Sequence, residues 1–516
     1  KNLITVKGDL ENKISLNLIS EIFPNNFKKF FDGKKLYSAN SKFMFIFTDK
    51  LKIKDYNLES EIFFDHLDFK FESNQIKKYI KNYGKNIYFK NGKIYFSINK
   101  QKKLVAEVNA SYILNEKNVT KNFKLNYLNE NQVEKIKLNV DLSDNEIFID
   151  QINFQKNDKK ELFLNLNVVK TKNFYEIDEF SLFNDKNVFK IKNIKLDNNF
   201  YILNFKKIQA NYYNKENYLN DILILKEKNN IFFKSKDLDI STNIEKNLKN
   251  SENSNFLKLF KNLNLEIHFD IKSARIDDEH NLKNLTGKSV IKNNKVYKVN
   301  LSAKFDEINN FTFTKDQIDG KMVTTIFSDI AKPFIKKFNF VKGFEGGKLD
   351  FTSTETNAEI SKSELRIYDF KLRDMPALTK LLSLASLQGI ADLATGEGIR
   401  FNEFDMFFDN SNNLITIHEI YALGPAISIL MEGYIEKNKL VSLRGTLVPA
   451  TTINKTIAKI PLLGSILVGD KVGEGVFGVS FKIKGPPKNL DTSVNPIKTL
   501  TPRFITRTLN KIKKTN

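Results

Sequence analysis

The chain has 516 residues, a formal net charge of +21, 45 Phe and no Cys. Without Cys there are no disulfides, no thiolate zinc sites and no thiol nucleophile, and the length exceeds one ordinary core, so several domains or one elongated architecture is expected. The positive charge does not read as nucleic-acid binding: only seven of the 82 basic residues are Arg, the side chain that reads phosphate and guanine bidentately, and the lysines are spread along the chain as a solvated polar face.

From residue 1 to about 340, runs of five to nine residues alternate apolar and polar, separated by short Asn, Lys and Asp clusters. Lys93–Asn99, Glu146–Asp150, Glu161–Asn167 and Glu266–Lys272 are examples. Period-two alternation of β-branched and aromatic residues predicts half-buried strands. Glycine is missing from residue 93 to 286, so Asn and Asp are expected to supply the left-handed turn positions. Short helices are predicted at Asn74–Tyr83 and Phe256–Leu263. At about 10 residues per strand and turn, this region predicts roughly 30 strands. A continuous sheet of that size curls into a trough or splits into sandwiches, and alternation alone fits both.

After residue 340 the composition changes. Fifteen of the 21 Gly and eight of the 10 Pro lie there, which sets a boundary between a β-rich region, 1–340, and a C-terminal region, 341–516. Strands are predicted at Lys348–Ala358, Ser363–Arg373, Leu414–Ala422, Ala426–Ile435, Leu440–Val448 and Val476–Ile483. Pro376 opens an apolar helical segment, Ala377–Leu393, which Gly396 and Gly398 close. A second, Thr452–Val468, is broken by Pro461. The tail Arg503–Lys514 has a cationic amphipathic pattern. No run of 18 apolar residues occurs, so no transmembrane helix is predicted, and no secretory signal pattern is present. The chain begins at Lys1, and its natural N-terminus is expected upstream.

Catalytic strings are missing. His66, His268, His280 and His418 have no metal-ligand spacing. Asp277-Asp-Glu-His280 reads as a solvated turn. Gly473-Glu-Gly-Val-Phe-Gly478 matches a dinucleotide string but runs into a strand, not a helix, so its required context fails. No nucleophile elbow, H-E-x-x-H or Walker A string is present. A non-enzymatic protein without cofactor or metal is the expectation.

Two features are candidates for a binding role. The first is the apolar strand face: Ile427, Ile429 and Met431, then Val441, Leu443 and Leu447, then Phe477, Val479, Phe481 and Ile483. It is either a closed core or an open trough for acyl chains, each buried methylene contributing about 0.8 kcal/mol. The second is the helix pair, with Leu381, Leu382, Leu384, Leu387 and Ile390 in one member and Leu462, Leu463, Ile466 and Leu467 in the other. These helices either pack on a sheet end or lie against a membrane, with Arg503 and Arg507 of the tail assisting.

The order of short motifs in the last third carries a resemblance. Arg444-Gly-Thr-Leu-Val-Pro-Ala450 is followed by Ile460-Pro-Leu-Leu-Gly464, Leu467-Val-Gly469, Gly473-Glu-Gly475, Phe477-Gly-Val-Ser-Phe481, Gly485-Pro486 and Val494-Asn-Pro496. This series, between about Gly343 and Arg503, resembles the C-terminal region of the AsmA-like superfamily, the YhdP and TamB type of bacterial envelope protein. The resemblance implies a long curled antiparallel β-sheet forming an elongated hydrophobic groove, with a few short helices near the C-terminus. It implies a periplasmic location, an inner-membrane anchor outside this chain, and phospholipid carried between inner and outer membranes without a cofactor. The chain lacks the family's N-terminal membrane helix and is short for a bridge. A different class of function, assembly of outer-membrane proteins by strand addition at a sheet edge, stands beside it.

Overall fold

A computed structural model describes residues 3–15, 35–70, 73–81, 83, 86–114, 119–157, 160–241, 257–335, 343–356, 360–373, 397–411, 413–437, 439–449, 478–487 and 489–497. Strands take up 73% of these residues, and 27 of them belong to one large, mostly antiparallel sheet that is not closed into a barrel. The chain forms two compact units. The first holds residues 1–242 with 253–271 and 292–295, the second 272–291 and everything from 296 onward, with 243–252. The composition break near residue 340 therefore falls inside the second unit.

In the first unit the strands pair in chain order. They are β1 (Leu3–Ser15), β2 (Leu36–Thr48), β3 (Ile53–Lys70), β4 (Asn86–Asn99), β5 (Leu104–Ile113), β6 (Lys121–Glu130) and β7 (Val133–Asp141). Then β8 (Ile147–Ile149) and β9 (Phe154–Lys156) leave the main sheet as a separate hairpin, and β10 (Phe163–Lys170) rejoins on β7. The ladder continues through β11 (Phe174–Phe183), β12 (Val188–Asp197), the short β13 (Ile202–Asn204), β14 (Lys207–Tyr213), β15 (Leu219–Glu227) and β16 (Asn230–Asp239).

β17 (Leu265–Arg275) and β18 (Asn281–Lys292) precede the second ladder. That ladder comprises β19 (Lys295–Lys304), β20 (Asn310–Ile318), β21 (Lys321–Ser328), β22 (Phe344–Glu355), β23 (Ser361–Leu372) and β24 (Ile399–Asn410). It ends with β25 (Leu414–Leu423), β26 (Ile427–Glu436), β27 (Leu440–Pro449), β28 (Gly478–Gly485) and β29 (Asp491–Ile497).

The strands are fewer and longer than the alternation suggests. Among the described residues 21 strands precede residue 340, not about 30, and β3 alone runs 18 residues. Bulges let long strands follow a bent sheet. Asn193 and Asp369 hold left-handed backbone inside strands, and pairing skips both. Of the 17 non-glycine residues with positive φ, 12 are Asn or Asp, so these residues do replace glycine at turns and bulges. Helix is scarce: Asn74–Lys77 forms one turn, with the Ser73 hydroxyl accepting from the Ile76 amide at 3.3 Å, and Leu257–Leu259 forms a 3-10 turn.

Gly433 marks a place where the ladder requires glycine. Its φ is +150°, and a Cβ would lie 2.1 Å from the Ser442 carbonyl oxygen on β27. Gly433→Val forces the two strands apart and costs about 1–3 kcal/mol or more. The expected result is a lower urea midpoint for the variant; an unchanged midpoint contradicts the close approach.

Candidate functional site

Direct cross-strand partners point to the same side of a sheet, so the pairing registers show which side chains share a face. In the first unit one row reads Ala39, Ile62, Ile94, Val108, Leu125, Leu138, Leu166, Phe180, Ile191, Ile208, Ile224 and Phe233. It crosses 12 strands without a polar interruption. At about 4.8 Å per strand, this row is about 53 Å long. A parallel row on one side reads Phe96, Ala106, Tyr127, Ile136, Val168, Ile177 and Ile194. On the other side lie Ala110, Phe123, Val140, Leu164, Leu182, Phe189, Ala210 and Ile222. Together they form an apolar stripe running across the strands.

The opposite face of the same strands is polar. Lys93, Asn109, Lys124, Asn139, Asn165, Ser181, Lys190 and Gln209 make one continuous row there. The Asn139 amide donates to the Asn165 carbonyl oxygen at 2.7 Å. Much of the lysine excess is therefore a solvated sheet face, and exposed pairs such as Lys93–Glu61 at 2.6 Å contribute little to stability.

The stripe is flanked, and along its middle it is not sealed. From β5 to β16 every member of the central row is half-buried. One flank carries polar residues on the same face, with Lys170 and Glu134 paired at 2.7 Å. The other is covered by the hairpin β8–β9. Phe154 of this hairpin packs edge-on against Phe189 at 5.0 Å and Tyr212 at 5.9 Å. The Tyr212 hydroxyl donates to the Ile152 carbonyl at 3.0 Å and that of Tyr112 to the Asp141 carbonyl at 2.7 Å. Burial holds both phenols well above their ordinary pKa.

The second unit repeats the pattern. One row reads Leu301, Phe313, Ile326, Phe351, Leu365, Met406, Ile420, Met431, Gly445, Phe481 and Val494. Its neighbour reads Ala303, Phe311, Ser328, Leu349, Ile367, Phe404, Ala422, Ile429, Leu447, Val479 and Pro496. Each crosses 11 strands, about 48 Å. The first row is half-buried except at Ile420 and Phe481, while the second is mostly buried.

These rows hold the residues singled out in the sequence. Ile429, Leu447 and Val479 are direct partners in one row, Met431 and Phe481 flank Gly445 in the next, and Leu443 partners Ile483 beyond them. Ile427 and Val441 lie on the same face toward opposite ends. A Cβ on Gly445 would meet both Met431 and Phe481 at 2.8 Å, so these two side chains close over the glycine. Ile427, Ile429, Val441, Leu447, Val479 and Phe481 are buried, and Met431, Leu443 and Ile483 are half-buried. Room for a ligand therefore lies along the Met431 row rather than the Leu447 row. Phe477, the helical segments with Leu381, Leu382, Leu384, Leu387, Ile390, Leu462, Leu463, Ile466 and Leu467, and the tail with Arg503 and Arg507 lie outside the described residues.

Sequence reading raised a trough for residues 1–340 but singled out no residue of the first-unit stripe. Alternation marks the apolar face within each strand, but only pairing aligns the faces. It also misplaced Asp277, which is buried, not solvated. Its Oδ1 accepts from the Glu279 amide at 2.9 Å, the His280 amide at 2.8 Å and the His280 ring Nδ1 at 2.9 Å. These bonds close the turn that joins β17 to β18. Among the described residues no cluster of His, Asp and Glu could hold a metal, and no helix is long and apolar enough to cross a membrane. No family model matches the chain, and no curated protein or solved structure matches it either.

Burial tends to raise the Asp277 pKa, but the donors from Glu279 and His280 outweigh it and leave it lowered. A folded pKa below the unfolded value stabilises the protein above the unfolded pKa, and that stability is lost as pH falls through the folded value. Asp277→Asn is expected to lower the thermal midpoint at neutral pH, with the gap to the parent closing below about pH 4. A gap constant from neutral to acid pH contradicts the assignment.

Proposed function

We propose that this chain is a lipid carrier that holds acyl chains along the apolar stripe of its sheet. The supporting observation is the unbroken central row from Ala39 to Phe233, half-buried along most of its length. A sealed sandwich core buries such a row from both sides, whereas an open face leaves it partly accessible. An apolar track with a polar back suits a ligand whose chain is hydrophobic and whose headgroup stays in water. Each methylene moved from water onto the track gains about 0.8 kcal/mol, and neighbouring positions are chemically alike, so a chain can advance without a deep trap. No step of this process calls for a catalytic residue or a cofactor.

The motif order after Gly343, which resembles the AsmA-like superfamily, directs the reading further. The cargo is phospholipid, the compartment is the periplasm, and transfer runs between inner and outer membranes, with the chain held at the inner membrane by a segment outside it. The C-terminal apolar segments, 377–393 and 452–468, would be the delivery end. An envelope assembly factor that binds outer-membrane proteins by strand addition is the second reading, and β1, which among the described residues pairs with β2 alone, supports it.

Two adjacent residues separate a lipid track from a general apolar surface. Leu166 lies on the stripe and Asn165 on the polar face of the same strand. A photo-reactive residue at 166 is expected to label co-purifying phospholipid, detected by mass spectrometry as a protein–lipid adduct, while one at 165 labels none. Leu166→Asp is expected to reduce bound phospholipid severalfold with circular dichroism unchanged. A folded chain that yields no adduct at 166, or equal adducts at both positions, rejects the lipid track.

A further inference from the structure

The apolar face of each unit is interrupted by a polar patch, and the two patches share one make-up. In the first unit the patch is Asn129, Glu134 and Lys170, direct partners on β6, β7 and β10. Ile98 and Leu104 lead into the same row, and Tyr175 and Leu196 continue it. In the second unit Lys315, Thr324, Ser353 and Ser363 are direct partners on β20 to β23, and Phe408 and Ile417 continue that row. Glu355 lies two residues beyond Ser353 and so faces the same side. It holds Lys315 at 2.7 Å, the separation also found between Glu134 and Lys170.

Each patch lies beside the accessible part of its stripe and away from the packed flank. The Glu134 row adjoins the row through Ile136, whereas the β8–β9 hairpin covers the opposite flank at Phe189 and Tyr212. The Lys315 row adjoins the half-buried row through Phe313, whereas Phe334 stacks on Phe311 on the far side of that row. The four charged side chains are 17–47% exposed, neither sealed nor fully solvated. Stability gives little reason for these pairs. Partly exposed ion pairs contribute little, and apolar residues in place of such a pair are often neutral or stabilising.

We infer that each patch is a headgroup site for a zwitterionic phospholipid, one whose headgroup carries a phosphate and an ammonium. The phosphate pairs with Lys170 or Lys315, the ammonium pairs with Glu134 or Glu355, and the acyl chains lie on the adjoining apolar rows. This deepens the lipid-carrier reading and rests on it. Charge complementarity selects the class. A zwitterionic headgroup exchanges one ion pair for two, and every charge keeps a partner. An anionic headgroup reaches the lysine only by setting its negative charge beside the displaced carboxylate. Neighbouring groups fit the same ligand. The Ser363 and Ser353 hydroxyls, linked at 2.9 Å, are donors suited to phosphate oxygens. The Tyr175 ring, with the Lys170 ammonium 6.0 Å from its centre, offers a face to a cation. The ion pair given up is a weak one, so a headgroup can bind and leave without a deep trap.

The test is a competition on the full chain. The protein is incubated with vesicles of equal parts phosphatidylethanolamine and phosphatidylglycerol carrying identical acyl chains, then re-isolated, and its bound lipid is quantified by mass spectrometry. The parent is expected to hold phosphatidylethanolamine about threefold or more over phosphatidylglycerol. The net charge of +21 by itself favours the anionic lipid, so this excess points to the patches. Glu134→Lys with Glu355→Lys leaves only cations there and is expected to reverse the ratio. Adding Lys170→Glu and Lys315→Glu restores one charge of each sign per patch and is expected to return the parent ratio. Circular dichroism checks folding, and a ratio does not depend on how much of a variant is folded. Bound lipid in the proportions of the vesicles, or a ratio that the charge variants do not move or the exchange does not restore, overturns the headgroup site and leaves the lipid track standing. A folded parent that takes up neither lipid overturns both.

Discussion

Everything in this molecule depends on keeping register. The main chain satisfies its amides and carbonyls only by pairing strand with strand, and each pairing decides which side of the sheet a residue faces. A slip of one position would send every apolar side chain of a strand to the polar side. The rows through Leu138 and Met431 exist because no such slip occurs over 12 and 11 strands. Where a strand must bend, the extra residue is taken up by register shifts such as those between Asn167 and Val168 and between Phe407 and Phe408, beyond which apolar residues face the same side again.

Alternation made the strands legible, and in the C-terminal part it also made one face legible. The residues chosen on β26, β27 and β28 do share a side and do meet in rows. Other parts stayed hidden for a physical reason. Alternation is a property of one segment, whereas a row is a property of many segments together, so the first-unit stripe could not be seen before the pairing was known. The hairpin β8–β9 shows the same limit. Glu146–Asp150 alternates like any meander strand, yet it pairs with β9, whose Phe154 packs on Phe189 and Tyr212 and holds the hairpin over the stripe. Asp277 was misread because a polar string looks solvated until its donors are found around it.

The two units treat their apolar faces alike. In each, one flank of the face is packed under a local excursion: β8–β9 in the first, and the short helix Lys332–Ile335 in the second, where Phe334 stacks on Phe311 at 5.6 Å. Each also keeps a row that is neither sealed nor fully exposed. Stability comes from the packed flank and the hydrogen-bonded ladder, so the accessible row need not be part of a closed core for the sheet to persist.

The stripe runs in the direction of the hydrogen bonds, at right angles to the strands. Its width is therefore set by strand length, and its length by strand number. Inserting one in-register hairpin anywhere along either ladder would add about 10 Å of track and leave the cross-section as it was. A lineage could lengthen or shorten such a protein in hairpin-sized steps to fit the gap it must span, without redesigning the surface that touches the ligand.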